Sequence, residues 1–290
     1  MSADALDRFT ATAEIATTSV IRAYSTSFGL ATRLLGRRHR QHISNVYAMV
    51  RVADEIVDGV AAEAGLDADA QRRALEEYAA ETHRAMRIGY SSNIVVHAFA
   101  RTARESGIGE ELTAPFFASM RADIARSFHD SASHEVYVYG SAEVVGLMCL
   151  RVFTSGSDLP LDHAAALEHG ARQLGAAFQN VNFLRDLADD TERLGRGYLT
   201  GEGTLDDAGR DRWVASVRAQ LRDARRTIPL LPRDVRAAVR SAAALFDALA
   251  DRVARTPATD LYARRVRVPD PIKVVLAVRS VVVTALEPRR

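Results

Sequence analysis

Apolar residues recur three and four positions apart along most of the chain, in stretches rich in Ala, Leu, Arg and Glu that short Gly, Pro or Asp breaks separate. That spacing is the period of an amphipathic helix, not the alternation of a strand. The breaks predict helices over 4–24, 39–60, 68–88, 92–106, 110–128, 134–155, 161–193, 207–227, 233–255 and 271–286. Val/Ile/Thr alternation between glycine turns is absent, so the expected class is all-α. Pro115 falls early in the fifth segment, where it either sits in a first turn or splits the helix. Pro229, Pro232, Pro257, Pro269 and Pro271 mark joints in the C-terminal third. No Gly/Ser linker or fixed-period repeat divides residues 1–290, which predicts one domain with room for an enclosed cavity.

Composition removes several function classes. The 290 residues are 48% hydrophobic and 26% charged, as in folded globular proteins. Lys+Arg 38 against Asp+Glu 37 gives a net charge of +1, so no overall field draws a phosphate backbone and nucleic acid is not an expected partner. The sole cysteine, Cys149, excludes an intrachain disulfide or a thiolate-rich metal centre and agrees with a reducing cytoplasm. Met1 to Thr18 intersperses Asp4, Asp7, Arg8 and Glu14 with alanines, unlike an export signal. The apolar runs Val144–Leu150 and Val274–Val278 stop at Arg151 and Arg279, short of the ~20 residues of a membrane span. The apolar stretch Ile272–Leu286 either packs in the core or touches a membrane peripherally. Trp213 and the Arg-rich 207–227 segment read as a solvated amphipathic helix, and the scattered histidines as surface or capping groups.

Two acidic constellations carry the chemistry. In Arg51-Val-Ala-Asp54-Glu55-Ile-Val-Asp58 the two aspartates, four residues apart, share a helix face. Alone, that pair also fits a solvated surface. In Gln179-Asn-Val-Asn182-Phe-Leu-Arg185-Asp186-Leu-Ala-Asp189-Asp190, Asn182, Asp186 and Asp190 repeat on one stripe while Phe183, Leu184 and Leu187 fill neighbouring faces. Carboxylates gathered on a packed helix need cations, and an all-oxygen donor set suits Mg²⁺, or Mn²⁺ of the same hard class. Two such helices facing each other would hold a polyphosphate through bridging metal, with Arg51 and Arg185 as phosphate forks. A di-iron bundle would need Glu-x-x-His pairs, and the chain contains none.

These motifs, with Tyr24-Ser25-Thr26-Ser27-Phe28 and Tyr137-Val-Tyr-Gly-Ser-Ala-Glu-Val-Val-Gly146, resemble the squalene/phytoene synthase family, most of all its bacterial phytoene synthases. The likeness runs from Tyr24 to Arg265-Val-Arg-Val-Pro269. It implies an isoprenoid-synthase fold, a helical bundle whose central cavity carries both acidic motifs at its mouth. It also implies Mg²⁺-dependent condensation of two geranylgeranyl diphosphates through a cyclopropyl diphosphate to phytoene, with no NADPH. Asp54, Asp58, Asn182, Asp186 and Asp190 are then the metal ligands, and Arg51, Arg185 and Arg265 contact diphosphate. Ser25 and Ser27 either donate to phosphate or cap a helix. Tyr137 and Tyr47 either stabilise cationic carbon or fill core, and Gln179 orients a ligand from the wall. The same pattern admits a squalene or dehydrosqualene synthase acting on farnesyl diphosphate, or a non-catalytic assembly factor. Three departures stand out: Tyr24 where many members have His, Thr200 in place of Pro after Arg196-Gly-Tyr198, and Glu143 in a cavity-lining helix. Glu143, six positions beyond Tyr137, is expected to turn from the cavity and pair with an arginine. Thr32, one turn beyond Phe28, is the candidate for setting chain length, unless it simply packs against a neighbouring helix.

Overall fold

The computed structural model describes residues 3–125, 131–157, 160–187 and 204–288, and every regular element among them is helical. Helices α1 (Ala3–Tyr24), α2 (Thr26–Arg33) and α3 (Arg37–Val57) lead to a single turn, α4 (Val60–Glu63). Then come α5 (Ala68–Ile88), α6 (Ile94–Ser106) and α7 (Glu110–Ala125). A continuous rod follows, made of α8 (Ser131–Val138), a π-helical turn (Tyr139–Glu143) and α9 (Val144–Thr154). The C-terminal part holds α10 (Leu161–Arg185), α11 (Asp207–Thr227), a 3₁₀ turn (Ile228–Leu230), α12 (Arg233–Ala254), α13 (Ala258–Leu261) and α14 (Asp270–Ala285).

Helix ends follow the local chemistry. Asp67, Asn93 and Asp206 cap α5, α6 and α11 by accepting backbone N–H bonds from the first turn. Gly89 and Gly107, at φ +82° and +67°, end α5 and α6 in the left-handed region. Three expectations need correction. Pro115 neither opens nor splits α7 but lies inside it. The predicted 134–155 helix is interrupted by the π turn, where Ser119 donates to the Tyr137 carbonyl. The break before residue 39 contains α2, which Ser25 caps through the Phe28 N–H at 3.0 Å. As expected of a solvated amphipathic helix, α11 exposes Arg212, Arg218, Arg222, Arg225 and Arg226 and buries Val214, Val217 and Leu221 against α10 and α12, while Trp213 packs on His134.

Two apolar cores result. One joins α3, α5, α6, α7 and α9 around Met49, Phe99, Phe116, Phe117 and Met148. The other joins α10 to α13 around Leu184, Val217, Leu221, Phe246 and Leu261. Leu35, Leu150, Leu167, Ile228 and Val235 form a small third cluster that ties the two. Residues 133–154 are long and apolar enough to cross a membrane by length and composition. In the fold this rod is internal, with Val144, Met148 and Val152 buried in the first core.

The rod meets α10 backbone to backbone. A Cβ on Gly146 would lie 2.5 Å from the Ala171 carbonyl oxygen, and one on Gly175 would lie 2.5 Å from that of Ala142. Gly175→Ala therefore forces two helices apart, at an overpacking cost of roughly 1–3 kcal/mol. The expected result is a lower Tm, at roughly 2–4 °C per kcal/mol for a chain of this order of size. Gly29→Ala, whose nearest contact would be an ordinary 3.8 Å, serves as the control and should leave Tm unchanged or raised. Equal melting of the two variants would show that the seam is not tight.

Candidate active site

Between the cores lies a cavity of about 610 Å³, well within the range of small-molecule chambers. α3 and α10 give it direction. Both start at the third cluster, where Ile43 and Leu167 pack, and both end in their acidic motifs. From Ile43 to Asp54, α3 rises ~16 Å, so the apolar floor and the charged mouth are separated by about that distance. Asp58 caps the C-terminus of α3, donating its N–H to the Asp54 carbonyl at 2.7 Å, and Asp186 caps α10 in the same way at 2.8 Å through Asn182. Each carboxylate thus stands where the helix dipole is already negative. α3 and α10 make no extensive direct contact and face each other across the chamber.

Charge at the mouth is only partly balanced. Arg51 lies 3.7 Å from Asp54 and 3.6 Å from Glu55, and its guanidinium is flanked by the Tyr24 and Tyr47 rings at 5.3 and 5.9 Å. Burial pushes the Asp54 carboxyl up to about 8, with Asp58, Asp123 and Glu55 adding to the rise and Arg51 opposing it. Asp54 is 24% exposed, and that exposure is to the cavity. Across the chamber, Arg185 forks onto Asp186 at 2.8 and 2.5 Å, and Arg265 reaches the same carboxylate at 2.6 Å. Asn182 Oδ1 and Ser141 Oγ are among the cavity-lining polar atoms that are buried without a hydrogen-bond partner among the described residues. A buried acceptor left unpaired costs about 1–3 kcal/mol, which marks Asn182 as a position made for a ligand. Its oxygen, with Asp54, Asp58 and Asp186, forms a hard donor set that fits Mg²⁺. No cluster of three or more Asp, Glu, His or Cys closes into a cage among the described residues. Magnesium bound through one or two carboxylates and substrate phosphates needs no such cage.

Of the residues singled out in the sequence, Tyr47, Arg51, Asp54, Asp58, Tyr137, Gln179, Asn182, Arg185, Asp186 and Arg265 line the cavity. Asp190 and Thr200 lie outside the described residues. α10 stops at Arg185, so among the described residues the stripe reaches no further than Asp186. Ser25 and Ser27 do not line the chamber, and Ser25 is the cap of α2. Tyr24, the departure from His, stacks its ring on Arg51. Glu143 turns away and pairs with Arg172 at 2.6 Å. His39, His97 and His134 are buried rather than superficial, and none lines the cavity. Cys149 does line it, and burial pushes its thiol up to about 12, so it remains protonated. Thr32 lines the chamber one turn beyond Phe28.

The sequence reading missed Asp123. It is 7% exposed, lines the cavity, accepts from the Tyr137 hydroxyl at 2.8 Å and adds negative field to Asp54. Its signal was present: with Phe116 and Met120 it makes an i, i+4, i+7 stripe, which places an acid on the buried face of α7. Asp123 fixes the phenol and thereby the ring of Tyr137 at the chamber wall.

Comparison with known proteins agrees with this geometry. The family profile described as squalene/phytoene synthase matches residues 21–271. A 15-cis-phytoene synthase of Paracoccus sp. is 31% identical over 198 residues, covering 67% of this chain and 62% of the relative. That of Synechocystis sp. is 29% identical over 279 residues, covering 88% and 80%. The chain thus spans about three fifths of the length of the Paracoccus relative. A dehydrosqualene synthase solved in complex with a ligand superposes with a TM-score of 0.77 over 96% of this chain and 98% of that one, at 22% identity. At that identity the likeness establishes the fold.

The field on Asp54 has a measurable sign. Between the ordinary value of 3.8 and about 8 the metal-free folded chain holds a proton that the unfolded chain releases, so stability falls as pH rises through this window and then levels off. Asp54→Asn removes that dependence. In chelator, the variant should melt above wild type, with the gap wider at about pH 9 than at about pH 5. A pH-independent gap, or a variant less stable at the higher pH, would show that Asp54 is not held protonated by its surroundings.

Proposed function

The chain belongs to the squalene/phytoene synthase family, and from that premise we propose that it is a phytoene synthase, condensing two geranylgeranyl diphosphates head to head and releasing diphosphate. The observation that carries this reading is the polarity of the cavity: carboxylates and arginines at the ends of α3 and α10, and an apolar floor roughly 16 Å away. A diphosphate with a long prenyl tail has that same division.

Asp54 and Asp58 from α3, and Asn182 and Asp186 from α10, would hold Mg²⁺, with Asp190 completing the set by sequence. When bound, magnesium supplies charge neutralisation for the departing diphosphate. Arg51, held between Tyr24 and Tyr47, presents a planar fork to phosphate oxygens. Arg185 and Arg265 already grip a carboxylate bidentately or at short range, and a phosphate offers the same oxygen geometry. In the first half-reaction C1 of one substrate loses diphosphate, the C2=C3 bond of the second attacks it, and proton loss closes a cyclopropane. In the second, that cyclopropyl diphosphate ionises, rearranges and loses a proton to give phytoene. The chamber's aliphatic and aromatic walls exclude water, and the Tyr47, Tyr137, Phe28 and Phe178 rings supply negative faces to cationic carbon.

The test is incubation with geranylgeranyl or farnesyl diphosphate and Mg²⁺, without NADPH, followed by product identification. Phytoene is expected, and chelator should abolish it. Asp54→Asn and Asp186→Asn should each slow turnover at least about 100-fold, equivalent to ~3 kcal/mol of lost leaving-group stabilisation. Turnover in excess chelator, or near-normal rates in both variants, would refute the metal-bridged diphosphate.

Chain length should respond to Thr32. A phenylalanine there would intrude along the tail path one turn below Phe28, at an overpacking cost of roughly 1–3 kcal/mol borne by the longer substrate alone. Thr32→Phe is therefore expected to shift the kcat/KM ratio toward farnesyl diphosphate by about 5- to 150-fold. A folded variant with an unchanged ratio removes Thr32 from chain-length choice.

A further inference from the structure

Helix α14 is built inside out. In a helix on the surface of a soluble protein the apolar stripe faces the core and the polar side chains face water. Here the side toward the protein carries Lys273, Leu276, Ala277, Ser280, Thr284 and, just past the helix end, Glu287, and it is fastened largely by polar contacts. Lys273 Nζ donates to Thr26 Oγ1 of α2 at 2.9 Å. Arg240 Nη1 of α12 donates to Thr284 Oγ1 at 2.8 Å, and Arg236 and Arg240 both pair with Glu287. The outward side is aliphatic: Val275 is 64%, Val278 58% and Leu286 79% exposed, with Ile272, Val274, Val281, Val282 and Val283 also exposed. At 100° per residue these positions sweep an arc of about 200°, interrupted only by Arg279. Isolated exposed aliphatics elsewhere, such as Ile15 and Leu161, are ordinary, whereas a continuous face of this kind marks a contact with something apolar.

Charge identifies the partner. From Leu261 to Arg290 the sequence has seven Lys/Arg against two Asp/Glu, and of these Arg264, Arg265 and Lys273 pair with Asp260, Asp186 and Asp270. Arg267 and Arg279 make no ion pair among the described residues, and both are exposed. Two copies of this face would set like charges against each other. A bilayer containing anionic lipid offers apolar depth for the valines and negative headgroups for the arginines, and Arg279 is long enough to lie along the apolar arc with its head at the surface. We propose that α14 is a membrane-docking helix, lying in the interface of an anionic bilayer with its valine face inserted. α14 rests on α12 and α2, whose opposite sides line the cavity, so the docked face stands one helix layer from the chamber. The proposal does not depend on which diphosphate the chamber takes.

The experiment is co-sedimentation of the full chain with phosphatidylcholine vesicles and with phosphatidylcholine vesicles containing phosphatidylglycerol, paired with sedimentation velocity in their absence. Wild type is expected to pellet with the anionic vesicles and to be released by high salt. The triple variant Val275→Asp, Val278→Asp, Val282→Asp should lose at least about tenfold in vesicle affinity. Its helical circular dichroism should match wild type, because all three positions are exposed. Ile15→Asp with Leu161→Asp, exposed positions away from α14, should bind as wild type does. Wild type remaining in the supernatant with both vesicle types overturns the proposal. So does equal pelleting of wild type and the triple variant, or a dimer that the triple variant dissolves in a chain that ignores vesicles, since the face would then belong to a second copy.

Discussion

Carboxylates at the C-terminal ends of two long helices, aimed into one chamber, are the constraint to which the rest of the molecule is fitted. Each sits at the negative end of a helix dipole, and burial raises the cost of charge on Asp54. The arginines at the mouth offset only part of this. Arg51 is held on a platform of two tyrosines, and Arg185 and Arg265 both commit to Asp186. The site therefore keeps negative charge that its own arginines only partly offset, and its stability is lower than an apolar lining would give. Such a mouth is tolerable because its floor is ordinary hydrophobic packing, in which Leu35, Leu150, Leu167 and Ile228 hold α3 and α10 at their far ends.

The parts of the architecture governed by local rules were legible in the sequence. The 68–88 and 207–227 helices match the structure residue for residue, because capping aspartates stand immediately before both and a glycine immediately follows the first. The i, i+4 spacing brought Asp54 and Asp58 to the cavity, and Asn182 and Asp186 likewise, since both runs belong to helices with an unmistakable period. What escaped notice depends on tertiary contact. The π turn answers to the close seat of Gly140 on the Pro115 carbonyl, 2.4 Å from where a Cβ would be, which no pattern within residues 134–155 reveals. The support Tyr24 gives Arg51 joins residues from different helices. Asp123 was readable, but it lacks the repeated acidic spacing that drew attention to the other carboxylates.

The same distinction explains α14. Its residues are as apolar as a core helix, and composition alone left open whether it packs inward or outward. The direction is decided by α12, where Arg233, Arg236 and Arg240 reach Thr284 and Ala285 in the last turn of α14 and Glu287 just beyond it. Those polar ties claim the side of the helix that bears Thr284 and Glu287, and rotation about the helix axis then leaves the valines outside.

The glycine seam between the central rod and α10 gives the chamber a lopsided compliance. Where Gly146 and Gly175 let helical backbones touch, no side chain is available to swing aside, and a close-packed contact of that kind transmits load without yielding. The opposite wall, α2 against α12, is closed by side chains such as Phe28 and Phe246, with ring centroids 5.8 Å apart, and these have rotamers to exchange. Expansion to admit bulky contents falls on that wall, and α14 lies against it as an outer brace whose grip is polar and reversible.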